Sequence, residues 1–349
     1  MKQYFSWLPI IVSAVISWVS TPLVLKLVKG WGLIDDPQHH KTKATHNRPL
    51  PRGGGLAAFI AISTALLIFL PLDKITLSII ASLSIITIYG LIDDKKDLNP
   101  YLRFLLQIGV ATIPVLAGVR INFTTNPFTQ GVLNLDGTGL FFQALPFIFS
   151  VCWIVFLMNI LNMGAKGIDG QLSGVVTISA LTIAVLSQKY SADIAQWPVI
   201  VLSLIVAGSF LGMIPWNVYP QKIMPSFSGS NIGGFMLGVL SILSTAKVGT
   251  LLVTLGIPII DTLYVMTKRV LAGKSPVWGD KGHLHHRLLD LGISRRRIAY
   301  LYWASTAILG MIALNLNATS KIYTILGLIF FLGGVALFLK YAKNQKSNS

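Results

Sequence analysis

Asp93 and Asp94 stand side by side in the segment YGLIDDKKDLNP, directly behind an apolar run, with Asp97 close by and Lys95, Lys96 and Arg103 around them. Adjacent carboxylates repel each other and are costly beside hydrocarbon. They make physical sense where they share a hard cation such as Mg2+, whose ligands are commonly carboxylate and phosphate oxygens. The plainer alternative is a solvated cap on a helix end. A second cluster closes the run CWIVFLMNILNMGAKGIDGQLSG. Asn159 and Asn162 offer amide donors and acceptors there, and Lys166 and Asp169 supply opposite charges among Gly164, Gly167 and Gly170. Read blandly, that is an interfacial ion pair, worth little if exposed.

Three further segments hold polar chemistry. GLIDDPQHHKTKATHNRPLPRGGG sets His39, His40, His46, Arg48 and Arg52 before Gly53, Gly54 and Gly55. Cations followed by glycines at the mouth of a helix suit a phosphate-reading surface, although a basic loop can also serve only to orient a membrane protein. In FLGMIPWNVYPQKIMPSFSGSNIGG, Asn217 and Lys222 precede Ser228, Gly229 and Ser230, a weak signal for an anion cradle. In GDKGHLHHRLLDLG, His283, His285, His286 and Arg287 lie together. Their spacing is not that of a zinc site and no cysteine accompanies them, so they fit better as donors to a diphosphate. The run SRRRIAY reads as a membrane-surface anchor.

The elements that must position these groups are helices in a bilayer. Of 349 residues, 53% are hydrophobic and 11% charged, and the mean hydropathy is +0.70; a soluble domain carries about 25% charged residues. Eleven apolar stretches approach the length needed to span a membrane: about 7–28, 54–72, 75–92, 102–118, 139–158, 172–187, 197–214, 231–246, 248–267, 300–317 and 322–340. The first is longer than a signal-peptide core and lacks a clear cleavage site, so it reads as a span. With the N-terminus outside and the C-terminus in the cytoplasm, 21 of the 28 Lys and Arg fall on the inner side and six on the outer. The positive-inside rule therefore fixes that orientation. Nine of the twelve acids, all aspartates, and all six histidines lie inside as well. The expected fold is an all-α integral membrane protein, a single polytopic domain over residues 1–349. Its site is expected to form from the cytoplasmic loops 29–53, 93–103, 159–171, 215–230 and 268–299. The net charge of +16 needs no nucleic acid, because anionic headgroups answer it. The lone Cys152 excludes a disulfide framework and reads as a small core hydrophobe.

Together the motifs resemble the polyprenyl-phosphate N-acetylhexosamine-1-phosphate transferases, bacterial enzymes that initiate O-antigen, teichoic acid and peptidoglycan lipid intermediates. The resemblance runs from GLIDDP and PLPRGGG through GLIDDKKDL and FLGMIPWN to GDKGHLHHRLLDLG, and the last segment is nearest the O-antigen and teichoic-acid branch. It implies transfer of a sugar-1-phosphate from a UDP-sugar to undecaprenyl phosphate at the cytoplasmic face of a bacterial plasma membrane, with Mg2+ as cofactor and UMP released. It marks Asp93, Asp94 and Asp169 as catalytic candidates, to which the residues themselves add Asp97 and Lys166. By the same resemblance Asn162, Asn217, His283, His285 and His286 become substrate-binding candidates and Asp94 a metal ligand, while the polar segments themselves add His46, Lys222 and Arg287 as substrate-binding candidates. The implied partners are the UDP-sugar, the lipid phosphate and membrane lipid, with a homodimer as a further candidate.

Two departures stand out. The family pattern Asn-x-x-Asp-Gly-x-Asp-Gly is here spaced by one more residue, with Lys166 in the first aspartate's slot. Where the family reads Met-Gly-Asp-x-Gly-Ser, this chain has PSFSGS, with Phe227 in place of the expected metal ligand. Three readings fit: a transferase in which Lys166 offsets phosphate charge, a catalytically silent relative that binds nucleotide or lipid phosphate, and a transporter. The last is the weakest, because the charges cluster on one face and leave no polar path through the spans.

Overall fold

The computed structural model describes residues 7–37, 48–126, 128–129, 131–135, 137, 140–189, 196–244, 248–276 and 282–348. Within them the helices are α1 (Leu8–Gly30), α2 (Gly55–Phe69), α3 (Lys74–Lys96), α4 (Pro100–Leu116), α5 (Leu140–Gly164), α6 (Gln171–Lys189) and α7 (Trp197–Asn217). After them come α8 (Ser226–Leu243), α9 (Val248–Thr254), α10 (Gly256–Leu271), α11 (Leu284–Asp290), α12 (Arg295–Ala313) and α13 (Ala318–Asn348). Two short antiparallel ladders depart from the all-helical expectation. Strands β1 (Ile34–Asp35) and β2 (Leu50–Pro51) close the first polar segment, pairing Ile34 with Pro51 and Asp35 with Leu50. Strands β3 (Phe123–Thr125) and β4 (Val132–Asn134) form a hairpin between α4 and α5.

The chain is a mostly helical, multi-pass membrane protein. Seven helices are long and apolar enough to cross a bilayer: α1, α3, α6, α7 and α8 in full, with Ala144–Gly164 of α5 and Ala318–Phe338 of α13. The stretch 248–267, expected as one span, is α9 and α10 meeting at a bend of 78°, and as a unit they would make an eighth. α2 and α4 are apolar but only 15 and 17 residues long, and α12 opens on three arginines.

α8 is the axis of the fold. Every residue from Ser226 to Ile242 is buried, the pattern of a helix surrounded by other helices. Small residues let its neighbours close in: a Cβ on Gly234 would fall 2.5 Å from Met158 Cα on α5. α1 and α7 meet in the same manner, with Gly212 against Ala14 O and Ser17, as expected where lipid supplies no hydrophobic drive and close backbone packing must hold helices together. Cys152 lies on the exposed side of α5, not in the core; surrounding hydrocarbon satisfies a thiol as well as a protein interior does.

Several polar motifs expected in loops turn out to be helix ends. Asp93 and Asp94 sit in the last turn of α3, Asn159 and Asn162 in the last turns of α5, and Ser226–Ser230 in the first turn of α8. The reason is that their side chains satisfy backbone and polar groups that would otherwise be orphaned at buried helix ends. Asp97 ends α3 in a left-handed conformation, φ 47°, which aspartate tolerates better than most residues.

Candidate active site

Successive residues on a helix point about 100° apart, so the two adjacent carboxylates diverge. Asp93, 2% exposed, turns toward α4, where it pairs with Arg103 through the guanidinium Nε and accepts the Leu98 N–H at 3.0 Å. Asp94, 3% exposed, turns toward α8, accepting the Phe227 N–H at 2.9 Å and the Ser228 hydroxyl at 2.7 Å. A carboxylate at a helix N-terminus meets free N–H donors and the positive end of the helix dipole. The expectation that the pair shares one cation therefore gives way to separate duties: Asp93 holds Arg103, and Asp94 holds the mouth of α8. Asp97 is exposed and links Arg52 at 3.2 Å with Arg103 at 3.7 Å, while Arg52 also meets Asp35 at 2.9 Å.

Phe227 has two cations over its ring. The Arg103 guanidinium carbon is 5.0 Å from its ring centroid and the Lys166 ammonium 5.8 Å, both within cation–π range. Tyr89 meets the same ring edge-on at 6.1 Å. Burial holds the Lys166 ammonium below the usual lysine range, at about 8. Asp94 and Asp93 favour its charge, and Arg103 and Arg52 oppose it. Gln171 fixes the loop that carries Lys166: its carbonyl oxygen accepts the Ile168 N–H at 3.1 Å, and its amide donates to Gly164 O at 3.0 Å.

The three glycines after Arg52 do not form the expected phosphate surface. A Cβ on Gly55 would fall 2.4 Å from the Gly229 nitrogen and 2.5 Å from Ser228 Oγ, so this backbone packs against the start of α8. The Ser-Gly-Ser run is not an open cradle either. Ser228 donates to Asp94, and Ser230 donates to Asn162 at 3.1 Å, all at buried or partly buried positions. Below it, Asn159 donates to Gln107 at 2.8 Å, and Gln107 donates to Asn231 at 2.7 Å, tying α5, α4 and α8 together.

The histidine segment reaches the same place. Any side chain on Gly167 would strike the His285 ring, whose Nε2 lies 2.0 Å from an ideal Cβ there. His285 is 1% exposed, its Nδ1 has no hydrogen-bond partner among the described residues, and burial first, then His286 and His283, hold it well below the usual histidine range, hence neutral. His283 stacks on His285 at 5.5 Å and contacts Asp261 through Nδ1 at 2.9 Å, and His286 lies 4.4 Å from His285. Arg287 donates to Gly282 O and covers Tyr264.

The other expected residues make contacts of their own. Asn217 is fully buried in a structural knot, accepting from Ser173 and donating to Ile223 O at 2.9 Å. Lys222 is exposed, with its ammonium 4.9 Å from the Trp216 ring. His46 lies outside the described residues. Asp169 pairs with Arg295 at 3.4 Å, and Arg296 donates to Tyr219 O at 2.7 Å. Two members of the arginine run expected as a surface anchor, half-buried Arg295 and exposed Arg296, thus hold protein partners and line an open cleft of about 580 Å³ with Tyr219 and Ile293. Ser228 was read as part of an anion cradle, Arg52 as part of a phosphate-reading loop and Arg295 as part of a surface anchor, while Arg103 was seen only as a neighbour of the aspartates; none was expected as a partner of the carboxylates.

The donor set does not fit a resident Mg2+. Such an ion is usually held by one or two carboxylates with substrate phosphates and water. Here each Asp94 oxygen already accepts one hydrogen bond from the mouth of α8, and Asp93 Oδ1 both accepts the Leu98 N–H and pairs with Arg103. Lys166, Arg103 and Arg52 already supply positive charge to the two carboxylates. Among the described residues no group of three His, Cys, Asp or Glu is arranged to hold a metal.

Residues 76–245 match Glycosyl transferase family 4. The chain is 32% identical over 330 residues to the probable undecaprenyl-phosphate N-acetylglucosaminyl 1-phosphate transferase of Bacillus subtilis (strain 168), covering 92% of this chain and 87% of that one. It is 29% identical over 356 residues to the decaprenyl-phosphate N-acetylglucosaminephosphotransferase of Mycolicibacterium smegmatis, covering 93% and 84%. Against the undecaprenyl-phosphate alpha-N-acetylglucosaminyl 1-phosphate transferase of Haemophilus influenzae it is 26% identical over 331 residues, covering 92% and 89%.

Proposed function

Since the chain belongs to glycosyl transferase family 4 and is a phosphoglycosyl transferase acting on polyprenyl phosphate, we propose that its donor is a UDP-N-acetylhexosamine, its acceptor undecaprenyl phosphate and its leaving product UMP. An oxygen of the lipid phosphate attacks the phosphorus that carries the sugar. The bond from that phosphorus to the bridging oxygen breaks, and that oxygen departs on UMP. The lipid is left with a diphosphate-linked sugar. Little covalent work falls to the protein in such a step; positioning and charge stabilisation carry it.

The observation that carries this reading is the meeting of Asp93, Asp94, Arg103 and Lys166 around Phe227 at the mouth of α8, with His285 against the neighbouring Gly167. Two cations held this close to each other attract two phosphate-bearing substrates. Asp93 orients Arg103, and Asp94 fixes the helix end against which the substrates lie. Asp169 with Arg295, and His286 beside His285, extend the polar wall. The Lys and Arg asymmetry supports eleven spans with the N-terminus outside, the C-terminus inside and this site at the cytoplasmic face of the plasma membrane.

The test is UMP release by purified protein over a panel of UDP-sugars, with and without undecaprenyl phosphate. Lipid-dependent UMP from a UDP-N-acetylhexosamine is the expected result. Intact uridine-nucleotide binding with no UMP from any donor would instead identify a catalytically silent relative, the reading that Lys166 and Phe227 otherwise favour.

A further inference from the structure

We propose that Lys166 is the resident cation of this site, neutralising the diphosphate during transfer where a divalent metal would otherwise stand, so that turnover needs no divalent metal. The inference rests on the transferase reading above and specifies how that reaction is charged.

Four observations lead to it. First, the Lys166 ammonium is at the centre of the cluster, over the Phe227 ring at 5.8 Å and facing Asp94 and Asp93. Second, its mounting is rigid for a lysine. Both ends of the 164–171 loop are stapled by Gln171, and His285 packs against Gly167, the residue after it. A cation held in place by its loop needs no reorganisation as charge develops, which is what makes electrostatic stabilisation effective. Third, the two carboxylates already have partners that answer their charge, Asp93 with Arg103 and Asp94 with the mouth of α8. A divalent ion would have to share carboxylates that these partners already neutralise and sit against three cationic side chains, Lys166, Arg103 and Arg52. Fourth, the first turn of α8 offers Phe227 to this space, buried to 3% exposure. An aromatic ring gives a metal no lone pair, but its face stabilises ammonium and guanidinium groups. Phe227 therefore does for Lys166 and Arg103 what it could not do for a metal: it lets two like charges share one small volume.

The chemistry balances without a metal. The attacking electron pair comes from a lipid-phosphate oxygen, and the pair of the breaking P–O bond leaves on UMP. Lys166 stays an ammonium throughout, donating hydrogen bonds to non-bridging oxygens and neither losing nor gaining a proton.

The experiment uses full-length purified protein with undecaprenyl phosphate and a UDP-N-acetylhexosamine, stripped with EDTA and assayed for UMP release with and without added MgCl2. Rates within about twofold of each other are expected for bound positive charge that needs no exogenous ion. Turnover lost in EDTA and restored by Mg2+ overturns this proposal and leaves the transferase reading standing. No UMP under either condition overturns both. A second readout avoids turnover: Mn2+ binding followed by electron paramagnetic resonance in the absence of nucleotide. Wild type is expected to leave Mn2+ free, and the double variant Lys166→Asp/Phe227→Asp to bind it. Tight Mn2+ binding by wild type overturns the proposal even if the variant does not fold. Lys166→Met is expected to lower kcat by about 10²–10³-fold, as when a single transition-state donor is removed. Lys166→Arg should recover most of that loss. A Met variant at wild-type rate also overturns the assignment.

Discussion

Lys166 and Asp94 show how little a residue's type says until its partners are known. Lys166 is held at about 8 chiefly by burial. The groups facing it are Asp93 and Asp94 from α3, Arg103 from α4 and Arg52 from the segment before α2, with neutral His285 beyond Gly167. Below about pH 8 it is an ammonium, and above that it is a neutral amine. The expected outcome is that kcat/KM falls as pH rises through about 8, and that Lys166→Arg moves the fall to higher pH, because a guanidinium stays charged. A pH–rate profile of the two proteins checks it. Asp94 belongs to the same scale. Ser228→Ala removes a buried hydrogen bond to that carboxylate and should lower stability by about 1–2 kcal/mol, measured by denaturation in detergent. Asp94→Asn disturbs the mouth of α8 more severely and should lower turnover at least about 100-fold. The carboxylate pair was legible in the sequence, because charge placed against an apolar run demands a reason. Its partners were not. Arg52, Phe227 and Ser228 come from segments about 40 and 130 residues away, and although each had been noted in its own segment, nothing local ties it to the carboxylates. Lys166 could be recognised as a departure from a pattern, but not as a neighbour of an aromatic ring.

At the level of elements, the site depends on how closely three helices approach. The glycines before α2 read as a phosphate-binding run, yet the backbone at Gly55 lies against Gly229 and Ser228. Composition could not separate these roles, since the same missing Cβ serves a ligand or a neighbouring helix equally well. The two roles make opposite predictions. Gly55→Ala should force α2 away from α8, lowering thermal stability by about 1–3 kcal/mol through overpacking and reducing turnover in parallel. A phosphate-contact role would raise KM and leave stability unchanged, so a melting curve beside a Michaelis curve separates them. Helix ends were the other blind spot. Apolar periodicity stops where side chains become polar, so the start of α8 was expected five residues too late, at 231, although its backbone hydrogen bonding begins at Ser226. The bend between α9 and α10 was hidden for the opposite reason, since apolar composition is continuous across it.

For the whole molecule, a greasy chain with charge gathered on one side was sufficient to identify a multi-pass helical membrane protein. It could not decide how α2, α4 and α12 meet the bilayer, because 15 to 19 residues lie near the limit for crossing it. The proposed topology predicts that a single cysteine introduced at Lys222 in a Cys152→Ser background is labelled by an impermeant maleimide only in inside-out vesicles. One introduced at Phe128 should be labelled only in whole cells. The reverse pattern would invert the orientation. The reaction itself is most directly tested by the identity of its two products. Undecaprenyl phosphate and UDP-N-acetylhexosamine are incubated with the purified protein, and the lipid and nucleotide fractions are weighed by mass spectrometry. Attack at the sugar-bearing phosphorus predicts undecaprenyl diphosphate-linked N-acetylhexosamine and UMP in equal amounts. UDP with a monophosphate-linked sugar, or unchanged substrates, would contradict it.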